Sequence, residues 1–287
     1  MQQRILDIHP HVISPDTDKY PRAPLGGNAS GWSRARPATA EQLVAAMEEA
    51  GVAGAAIVQS STCYGYDNAY VADTVAAHPD RFTGVFSIDV LAEDAPRQIR
   101  HWVDRKLSGL RLFTTGSTMS GQADWLADAR SFPAWECAAE LGIPVCVQMR
   151  PEGVPQLEVL LERFPGVRVI LDHLMFVAMD DGPPYAAAGV LFRLAEHENV
   201  FLKLTTSSVR KAGTAPAAPD TFFPELVKHF GADRIAWGSN FPASEGSLKE
   251  MVGEAVRALS CLPDADRARI FGGTAETLYP ALRNAGK

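Results

Sequence analysis

Short apolar runs alternate along the chain with longer stretches of helical periodicity. Eight of these runs have the length of a β-strand, and several, such as 167–171, are apolar at almost every position. Strands with this pattern are usually buried on both faces, which favours a parallel sheet covered by helices over a half-exposed antiparallel sheet. The predicted strands are residues 5–9, 54–59, 82–88, 109–113, 144–149, 167–171, 200–204 and 234–237.

The helical stretches lie between the strands, so the predicted order is β then α throughout. Eight such units close most commonly into a (β/α)8 TIM barrel, and 287 residues is an ordinary length for one such domain. We therefore predict the α/β class, with residues 1–287 forming a single TIM-barrel domain that has a long loop, 13–37, after strand 1. The predicted helices are 40–50, 69–77, 95–104, 132–141, 157–164, 185–196, 222–230 and 248–259.

A doubly wound open sheet is the structural alternative. That fold normally has a glycine-rich turn after its first strand, where this chain has His9-Pro10-His11. The barrel is therefore the better prediction.

The charge of the chain argues against two classes of partner. Its formal net charge is -7 and it has no run of basic residues, whereas a protein that binds nucleic acid or an anionic membrane needs one. No stretch reaches the roughly 18 apolar residues of a membrane span, and the first eight residues lack the features of a signal peptide. We expect a cytoplasmic protein with a small-molecule partner. Homo-oligomers are common among such barrels, but nothing in the sequence marks an interface.

Histidines stand where the first and sixth strands end. His9 and His11 are two residues apart, so in an extended chain both side chains point to one face, where imidazoles can bind zinc or manganese. The same spacing also occurs on solvated strands. His173 follows Asp172 at the end of the sixth strand, and this pair could equally be a satisfied core pair. In a barrel these strand ends meet at the C-terminal rim, where the chemistry takes place.

Cationic and amide side chains lie on other strands of the same rim. Arg111 and Lys203 are inside apolar strands, where a cation is costly to bury unless it is paired or binds an anion. They could hold a carboxylate of the substrate, or they could form buried ion pairs with Asp7, Asp89 or Asp172. Four further residues complete the candidate substrate contacts and rim groups: Gln148, Arg150, Asn240 and the aromatic Tyr64.

These motifs together resemble the amidohydrolase superfamily. The resemblance runs from His9 to about Tyr279 and rests on His9-Pro10-His11, on the segment around Asp172 and His173, on the Lys203 strand and on 237–242. Within the superfamily the chain is similar to the branch of TIM-barrel lactonases that includes 2-pyrone-4,6-dicarboxylate hydrolase and the sugar-acid lactonases. The motifs are specific for the superfamily and not for one substrate.

The resemblance implies site roles, and the chain departs from the family pattern in two places. In such enzymes the histidines of the first strand, here His9 and His11, bind a divalent metal together with an acid of the eighth strand, or contact the substrate in metal-free members. This chain has Asn240 in place of that acid and Gln148 where many relatives have another histidine. The resemblance thus implies either one zinc or manganese ion or a metal-independent site.

The functional hypothesis is a hydrolase that opens a lactone or related cyclic ester of a small carboxylated compound. Arg111, with Arg150 or Lys203, would hold the carboxylate and polarise the carbonyl. A metal would activate the water, or else His173 would do so with Asp172 fixing its tautomer. Asn240 would orient the water or the substrate, and Glu245 is a further candidate base. The alternatives are a decarboxylase or lactone isomerase of the same superfamily and a non-catalytic ligand-binding barrel.

Overall fold

An eight-stranded parallel sheet forms the framework of the protein. The computed structural model describes residues 3–116 and 121–286, so Met1 and Gln2 of the amino-terminal stretch considered above lie outside it. The strands pair in chain order from β1 to β8. They are β1 Ile5–Asp7, β2 Val52–Val58, β3 Phe82–Phe86, β4 Leu107–Phe113, β5 Val145–Gln148, β6 Val169–Leu171, β7 Val200–Thr205 and β8 Ile235–Gly238.

The two edges of the sheet approach each other. The Ile8 backbone N–H, just after β1, donates to the Trp237 carbonyl of β8 at 3.2 Å, so the sheet curves into a nearly closed barrel. Helices connect its strands. The predicted (β/α)8 TIM barrel is confirmed.

The α-helices match the predicted periodic stretches closely. Four of them, α2, α4, α5 and α6, have the predicted bounds. The predicted helix 185–196 is instead three short pieces, in keeping with the weak helix propensity of Gly189 in its interior. The α-helices are α1 Gly31–Ala35, α2 Ala40–Ala50, α3 Ser61–Tyr64, α4 Ala69–Ala77, α5 Ala95–Asp104, α6 Phe132–Leu141, α7 Val154–Arg163, α8 Gly189–Arg193, α9 Thr206–Ala212, α10 Pro219–Phe230, α11 Leu248–Ala258, α12 Asp264–Ala268 and α13 Thr274–Leu278.

Two apolar clusters hold the barrel together. The larger one packs the helices against the outer face of the sheet, as with Leu43 of α2 and Leu157 of α7. The smaller one contains inward-facing side chains such as Ile170 and Ala236, and residues of the last helices, including Leu278, pack against it. Burial of this apolar area on both faces of every strand is the main stabilising contribution, and it explains the nearly continuous apolar runs.

The segment between β1 and α2 runs across the C-terminal rim. It contains a short 3-10 turn, Leu25–Gly27, and helix α1, which carries Trp32.

No helix within residues 3–116 and 121–286 combines the length and the hydropathy needed to cross a membrane. The four cysteines are free; Cys261 is exposed and the other three are buried.

Candidate active site

A cavity of about 380 Å³ opens at the C-terminal ends of the strands. Its walls are cationic, hydroxylic and aromatic, and among the described residues none of its lining side chains is acidic. Six of the residues singled out from the sequence line it: His11, Arg111, Gln148, Arg150, His173 and Asn240. The others in the lining are Trp32, Ser60, Ser61, Thr62, Phe113, Thr115, Gly116, Phe176, Ser207 and Ala243.

A buried ion cluster lies beneath the cavity. Asp172 accepts a hydrogen bond from Arg111 Nε at 2.6 Å through Oδ2, and Lys203 Nζ lies 2.7 Å from its Oδ1. The side chains of Asp172 and Lys203 are fully buried, and that of Arg111 is 4% exposed. Burial alone would raise the pKa of Asp172, but Lys203 and Arg111 outweigh it and hold this pKa well below its usual range. One carboxylate thus neutralises two cations only in part, and the cluster keeps a net positive charge.

The structure places Lys203 away from the substrate position expected from the sequence. Its ammonium group is enclosed beside Asp172 and 3.5 Å from Cys146 Sγ, and it does not line the cavity. The sequence left open whether Arg111 and Lys203 bind an anionic substrate or a buried acid. For Lys203 the contact is the buried acid. Arg111 combines both possibilities. It donates to the buried acid Asp172, and it also lines the cavity, where it donates to Gln148 Oε1 at 2.7 Å.

Three imidazoles stand side by side at the rim. The ring centroid of His9 lies 5.0 Å from that of His11 and 5.0 Å from that of His173. His11 Nδ1 lies 2.7 Å from the Val58 carbonyl, which can only accept, so Nδ1 carries the proton and Nε2 is left as an acceptor. Burial, and then the charge of Arg111, lower the pKa of His11 to about 3. The group is therefore neutral at pH 7.

His173 is the imidazole best placed to take a proton from a molecule in the cavity. Its Nδ1 lies 2.9 Å from Thr205 Oγ1, and the side chain lines the cavity. The hydrogen-bond partner of Nδ1 is therefore Thr205, whereas Asp172, which the sequence suggested as the group that fixes the tautomer, is engaged by the two cations. Burial lowers the pKa of His173 to about 3 although Asp172 opposes this shift. Because the Thr205 hydroxyl can donate or accept, this contact fits either tautomer, and Nε2 carries the free lone pair in the tautomer with the proton on Nδ1.

His9 differs from the other two imidazoles because it is fully buried and does not line the cavity. Neither of its ring nitrogens has a hydrogen-bond partner among the described residues. Burial, followed by the charges of Lys203 and Arg111, holds its pKa well below the usual range. A buried imidazole without partners is costly unless a water molecule or an ion satisfies it.

The first and last strands are joined behind His9. Asp7 Oδ1 accepts from the backbone N–H groups of His9 at 2.9 Å and Ser239 at 2.8 Å. Gly238 makes this approach possible, because a Cβ at that position would lie only 2.7 Å from the Cβ of His9. Burial raises the pKa of Asp7 to about 6 against these hydrogen bonds. The Trp237-Gly238-Ser239 segment thus fixes the position of His9.

One set of residues could hold a metal ion. Ligand atoms of His9, Asp172 and His173 lie within 4.8 Å of one another. Two imidazoles and a carboxylate are a suitable donor set for zinc, and the unpartnered nitrogens of His9 are available to it. The sequence suggested His9 and His11 as metal ligands. Of these two residues, His9 belongs to this group and His11 does not. A bound ion would have to share Asp172 with Lys203 and Arg111.

Asn240 and Glu245 have different positions relative to the cavity. Asn240 lines it in a left-handed conformation with φ 59°, which asparagine tolerates better than most residues, and its Nδ2 lies 3.2 Å from Ser244 Oγ. Glu245, considered as a base from the sequence, has a side chain that is 83% exposed and lies 3.5 Å from Arg36. Glu245 is not among the lining residues, so His173 is the remaining candidate base of the original pair.

Tyr64 does not reach the cavity. It is buried in a small cluster with Ile13, Tyr20 and Cys63, and its hydroxyl accepts from the Ser14 backbone N–H at 2.8 Å. The structure therefore gives Tyr64 a packing role beneath the rim. The cavity aromatics are instead Trp32, Phe113 and Phe176.

Sequence reasoning missed two contacts of His173. Thr205, its hydrogen-bond partner, has no feature that distinguishes it from other threonines at strand ends. Phe176, whose ring stacks on His173 at 5.0 Å between centroids, lies in a turn that local propensity does not predict. The turn contains His173, Leu174, Met175 and Phe176 with φ values of 55°, 51°, 54° and 54°. A left-handed conformation costs about 1–2 kcal/mol for each non-glycine residue, so the surrounding structure must enforce it.

The buried imidazoles predict a loss of stability in mild acid. Between about pH 6.5 and 3 the unfolded chain protonates His11 and His173, while the native state keeps them neutral. His9 acts in the same direction, because burial holds its native pKa well below the usual value. Asp7 opposes this trend between about pH 4 and 6, because its native pKa is the higher one. Unfolding then takes up about two protons net, a slope of about 3 kcal/mol per pH unit near pH 5. Urea unfolding at pH 7.5, 6.0 and 5.0 with EDTA present measures this change in the free energy of unfolding. Equal stability at all three pH values would contradict the conclusion that the three imidazoles are neutral in the native state.

The fold and the site together define a class. The chain is a (β/α)8 barrel whose C-terminal rim carries three neutral imidazoles, a buried carboxylate and two cavity-facing arginines. The family model described as amidohydrolase matches residues 6–281, and the chain belongs to this family.

Known proteins of related sequence and structure agree with this assignment. The chain is 27% identical over 256 residues to an L-fucono-1,5-lactonase from Burkholderia ambifaria, and the alignment covers 86% of each of the two chains. Its fold is similar to that of a Pseudomonas putida protein provisionally assigned as a 2-pyrone-4,6-dicarboxylic acid hydrolase, with a TM-score of 0.75, 21% identity and coverage of 98% and 99%. It is also similar to an amidohydrolase from Burkholderia multivorans with bound zinc, with a TM-score of 0.76, 20% identity and coverage of 96% and 99%.

Proposed function

We propose that this protein is a hydrolase that opens a lactone of a small carboxylated compound by attack of an activated water molecule. The observation that carries the proposal is the pairing of a neutral His173 with two arginines in a cavity whose described lining contains no acid. The relatedness to an L-fucono-1,5-lactonase supports the reaction class. The cavity volume of about 380 Å³ is of the size expected for a small-molecule site.

The arginines favour an anionic substrate. Arg150 is exposed, its Nε donates to Thr115 Oγ1 at 3.1 Å, and it has no carboxylate partner within residues 3–116 and 121–286. Arg111 faces the same cavity from the ion cluster. A carboxylate of the substrate would complete the charge balance of Arg150, while a donor from either guanidinium would stabilise the oxyanion that forms at the lactone carbonyl.

His173 is the group that moves the proton. Water donates a proton to His173 Nε2 as its oxygen attacks the carbonyl carbon, and in this reacting tautomer Nδ1–H donates to Thr205 Oγ1. When the ring C–O bond breaks, the imidazolium returns this proton to the leaving alkoxide, which becomes a hydroxyl. The second proton of the water stays on the new carboxylic acid, which ionises at neutral pH to a carboxylate and releases that proton to the solvent. A substrate anion near His173 raises the pKa of the imidazole from its low value in the free protein towards the working pH.

The residues also fit a zinc ion. His9, Asp172 and His173 would hold it, and the ion would lower the pKa of a water molecule and polarise the carbonyl. In that case the free nitrogen of His173 would be a ligand, and the ion would replace His173 as the group that activates water. Arg150 and Asn240 line the cavity and are not members of this ligand set. The substrate contacts proposed above therefore do not depend on the metal.

The proposal is tested on the purified chain with a panel of carboxylated and neutral lactones. Proton release at constant pH and a product heavier than the substrate by one water molecule are the expected results. Loss of carbon dioxide, or a product of unchanged mass, would replace hydrolysis by decarboxylation or isomerisation. Elemental analysis before and after chelation, with the same assay, shows whether turnover requires an ion. Binding of lactones without any turnover would reject the enzymatic proposal.

Arg150 gives a substrate-selective prediction. Changing it to Gln should raise KM for a carboxylated lactone about 10- to 100-fold, because a hydrogen bond to a charged group contributes about 1.5–3 kcal/mol. KM for a neutral lactone of the same ring should stay within about twofold. Arg193→Gln, on the exposed face of α8, is the matched control. An equal rise of KM for both lactones would show that Arg150 does not bind the carboxylate.

A further inference from the structure

The left-handed turn after β6 brings two rings to the cavity wall in stacked positions. His173 and Phe176 are three residues apart, and in a turn with three residues per turn such positions eclipse each other. Their centroids lie 5.0 Å apart with an angle of 27° between the ring planes. Both side chains line the cavity. A right-handed turn would send the chain in another direction from the end of the strand.

The surrounding structure enforces this conformation from both sides. Leu174 and Met175 are fully buried, and Asp172, just before the turn, is held by its two cations. The Val177 backbone N–H closes the turn by donating to the Leu174 carbonyl at 3.2 Å. The unfavourable backbone is therefore imposed by the barrel and is not a property of the local sequence.

Phe176 is the member of the turn that packing does not explain. Its side chain is 39% exposed, whereas the two residues before it are at 0%. One neighbour of its ring is the imidazole of His173, and the guanidinium of Arg150 lies 5.9 Å from its centroid. A glycine at this position would adopt the same φ without strain. The ring is thus kept at a position where the backbone favours a residue without a side chain.

We propose that Phe176 is a positioning residue for His173. Its ring covers one face of the imidazole, while Thr205 is hydrogen-bonded to Nδ1, and together these two contacts hold the plane of the His173 ring at the cavity wall. This inference rests on the proposed role of His173 as the base. Phe176 has no part in the proton transfer itself.

The activity test compares three substitutions. Phe176→Ala and Phe176→Gly should each lower kcat about 3- to 10-fold, the range expected for loss of one aromatic stacking contact, with KM changed less than twofold. Phe176→Tyr keeps the ring and should retain kcat within about twofold. A rise of KM with kcat unchanged would overturn the proposal, because it would mean that the ring only contacts the substrate.

A second measurement does not depend on turnover. Long-range proton–nitrogen NMR of His173 should give the same two ring-nitrogen shifts in the wild type and in Phe176→Tyr. In Phe176→Ala these shifts should move, because a ring that is no longer held in its plane changes its hydrogen bond with Thr205. Unchanged nitrogen shifts in Phe176→Ala would reject the positioning role even if no lactone substrate is found. Absence of lactone hydrolysis by the wild type, with the NMR shift observed, would instead reject the proposed function alone.

Backbone strain in the turn should make Phe176→Gly and Phe176→Ala differ in thermal stability. Phe176→Gly should melt about 2 °C above Phe176→Ala, since both lack the ring but only glycine adopts φ 54° freely. Equal kcat in these two variants, despite their different stabilities, is the result expected if the ring is what acts on His173. Activity restored in Phe176→Gly alone would show that the backbone of the turn, and not the ring, positions the imidazole.

Discussion

Replacing His173 by Gln should lower kcat for lactone hydrolysis about 10²- to 10⁴-fold, the usual contribution of a general base. Glutamine keeps a polar side chain of similar reach but cannot take up the proton of the attacking water. The loss should appear equally in kcat and in kcat/KM, because the interaction is made in the transition state. Steady-state kinetics on the best lactone of the panel measure it.

The control for this substitution is His101→Gln on the exposed face of α5. It should leave kcat unchanged, and both variants should keep the wild-type circular dichroism. Retention of more than about a tenth of kcat in His173→Gln would be incompatible with its role as the base. The proton would then have to go to another acceptor in the cavity, for which His11 Nε2 is the nearest chemical alternative.

The largest effect on stability is expected for Asp172→Asn. The substitution leaves Lys203 and Arg111 buried beside a neutral amide, and breaking a buried pair by removal of one partner costs about 3–5 kcal/mol. Urea unfolding at pH 7.5 measures the free energy of unfolding. Asp264→Asn, at a carboxylate whose side chain is 94% exposed, removes an ion pair with Arg267 and should change it little.

A double variant shows whether charge is the cause. Lys203→Met in the Asp172→Asn background removes one of the two unpaired cations and should recover part of the lost stability. Further destabilisation by the second substitution would contradict the electrostatic explanation. It would indicate that Lys203 contributes mainly through packing of its side chain.

The sequence predicts the barrel well because local pattern and burial agree along most of the chain. All eight strands appear near their predicted positions, and helices such as α2 and α4 have the predicted bounds. Parallel strands buried on both faces give a strong apolar signal, and the helices between them have the right period. The exception around Gly189 is a place where the helical pattern is present but the propensity is weak.

The sequence predicts the location of the site better than it predicts which side chains contact each other there. The topology of the barrel alone brings polar strand ends such as His11 and Asn240 to one cavity. Which cation pairs with which acid depends on the depth of each side chain in the barrel, and residue spacing does not encode this depth. Lys203 therefore looked like a substrate contact although its ammonium is enclosed with Asp172.

The turn from His173 to Phe176 was unpredictable for a different reason. Four non-glycine residues in the left-handed region contradict every local preference of the sequence. The burial of Leu174 and Met175 in the folded barrel, with Asp172 held by its two cations, makes this conformation the most stable one. Sites where the tertiary structure overrides local propensity in this way are often functional, which is why the turn merits experiments.

The shared carboxylate of Asp172 also has an evolutionary consequence. Because Arg111 and Lys203 depend on one acid, loss of Asp172 leaves two buried cations without a counter-charge, so this position is expected to stay acidic as long as both cations are present. Trp32 and Phe176 lie on loops of the rim and carry no such obligation. Changes of substrate preference among related proteins are therefore expected at the rim, while the buried ion cluster beneath the cavity stays the same.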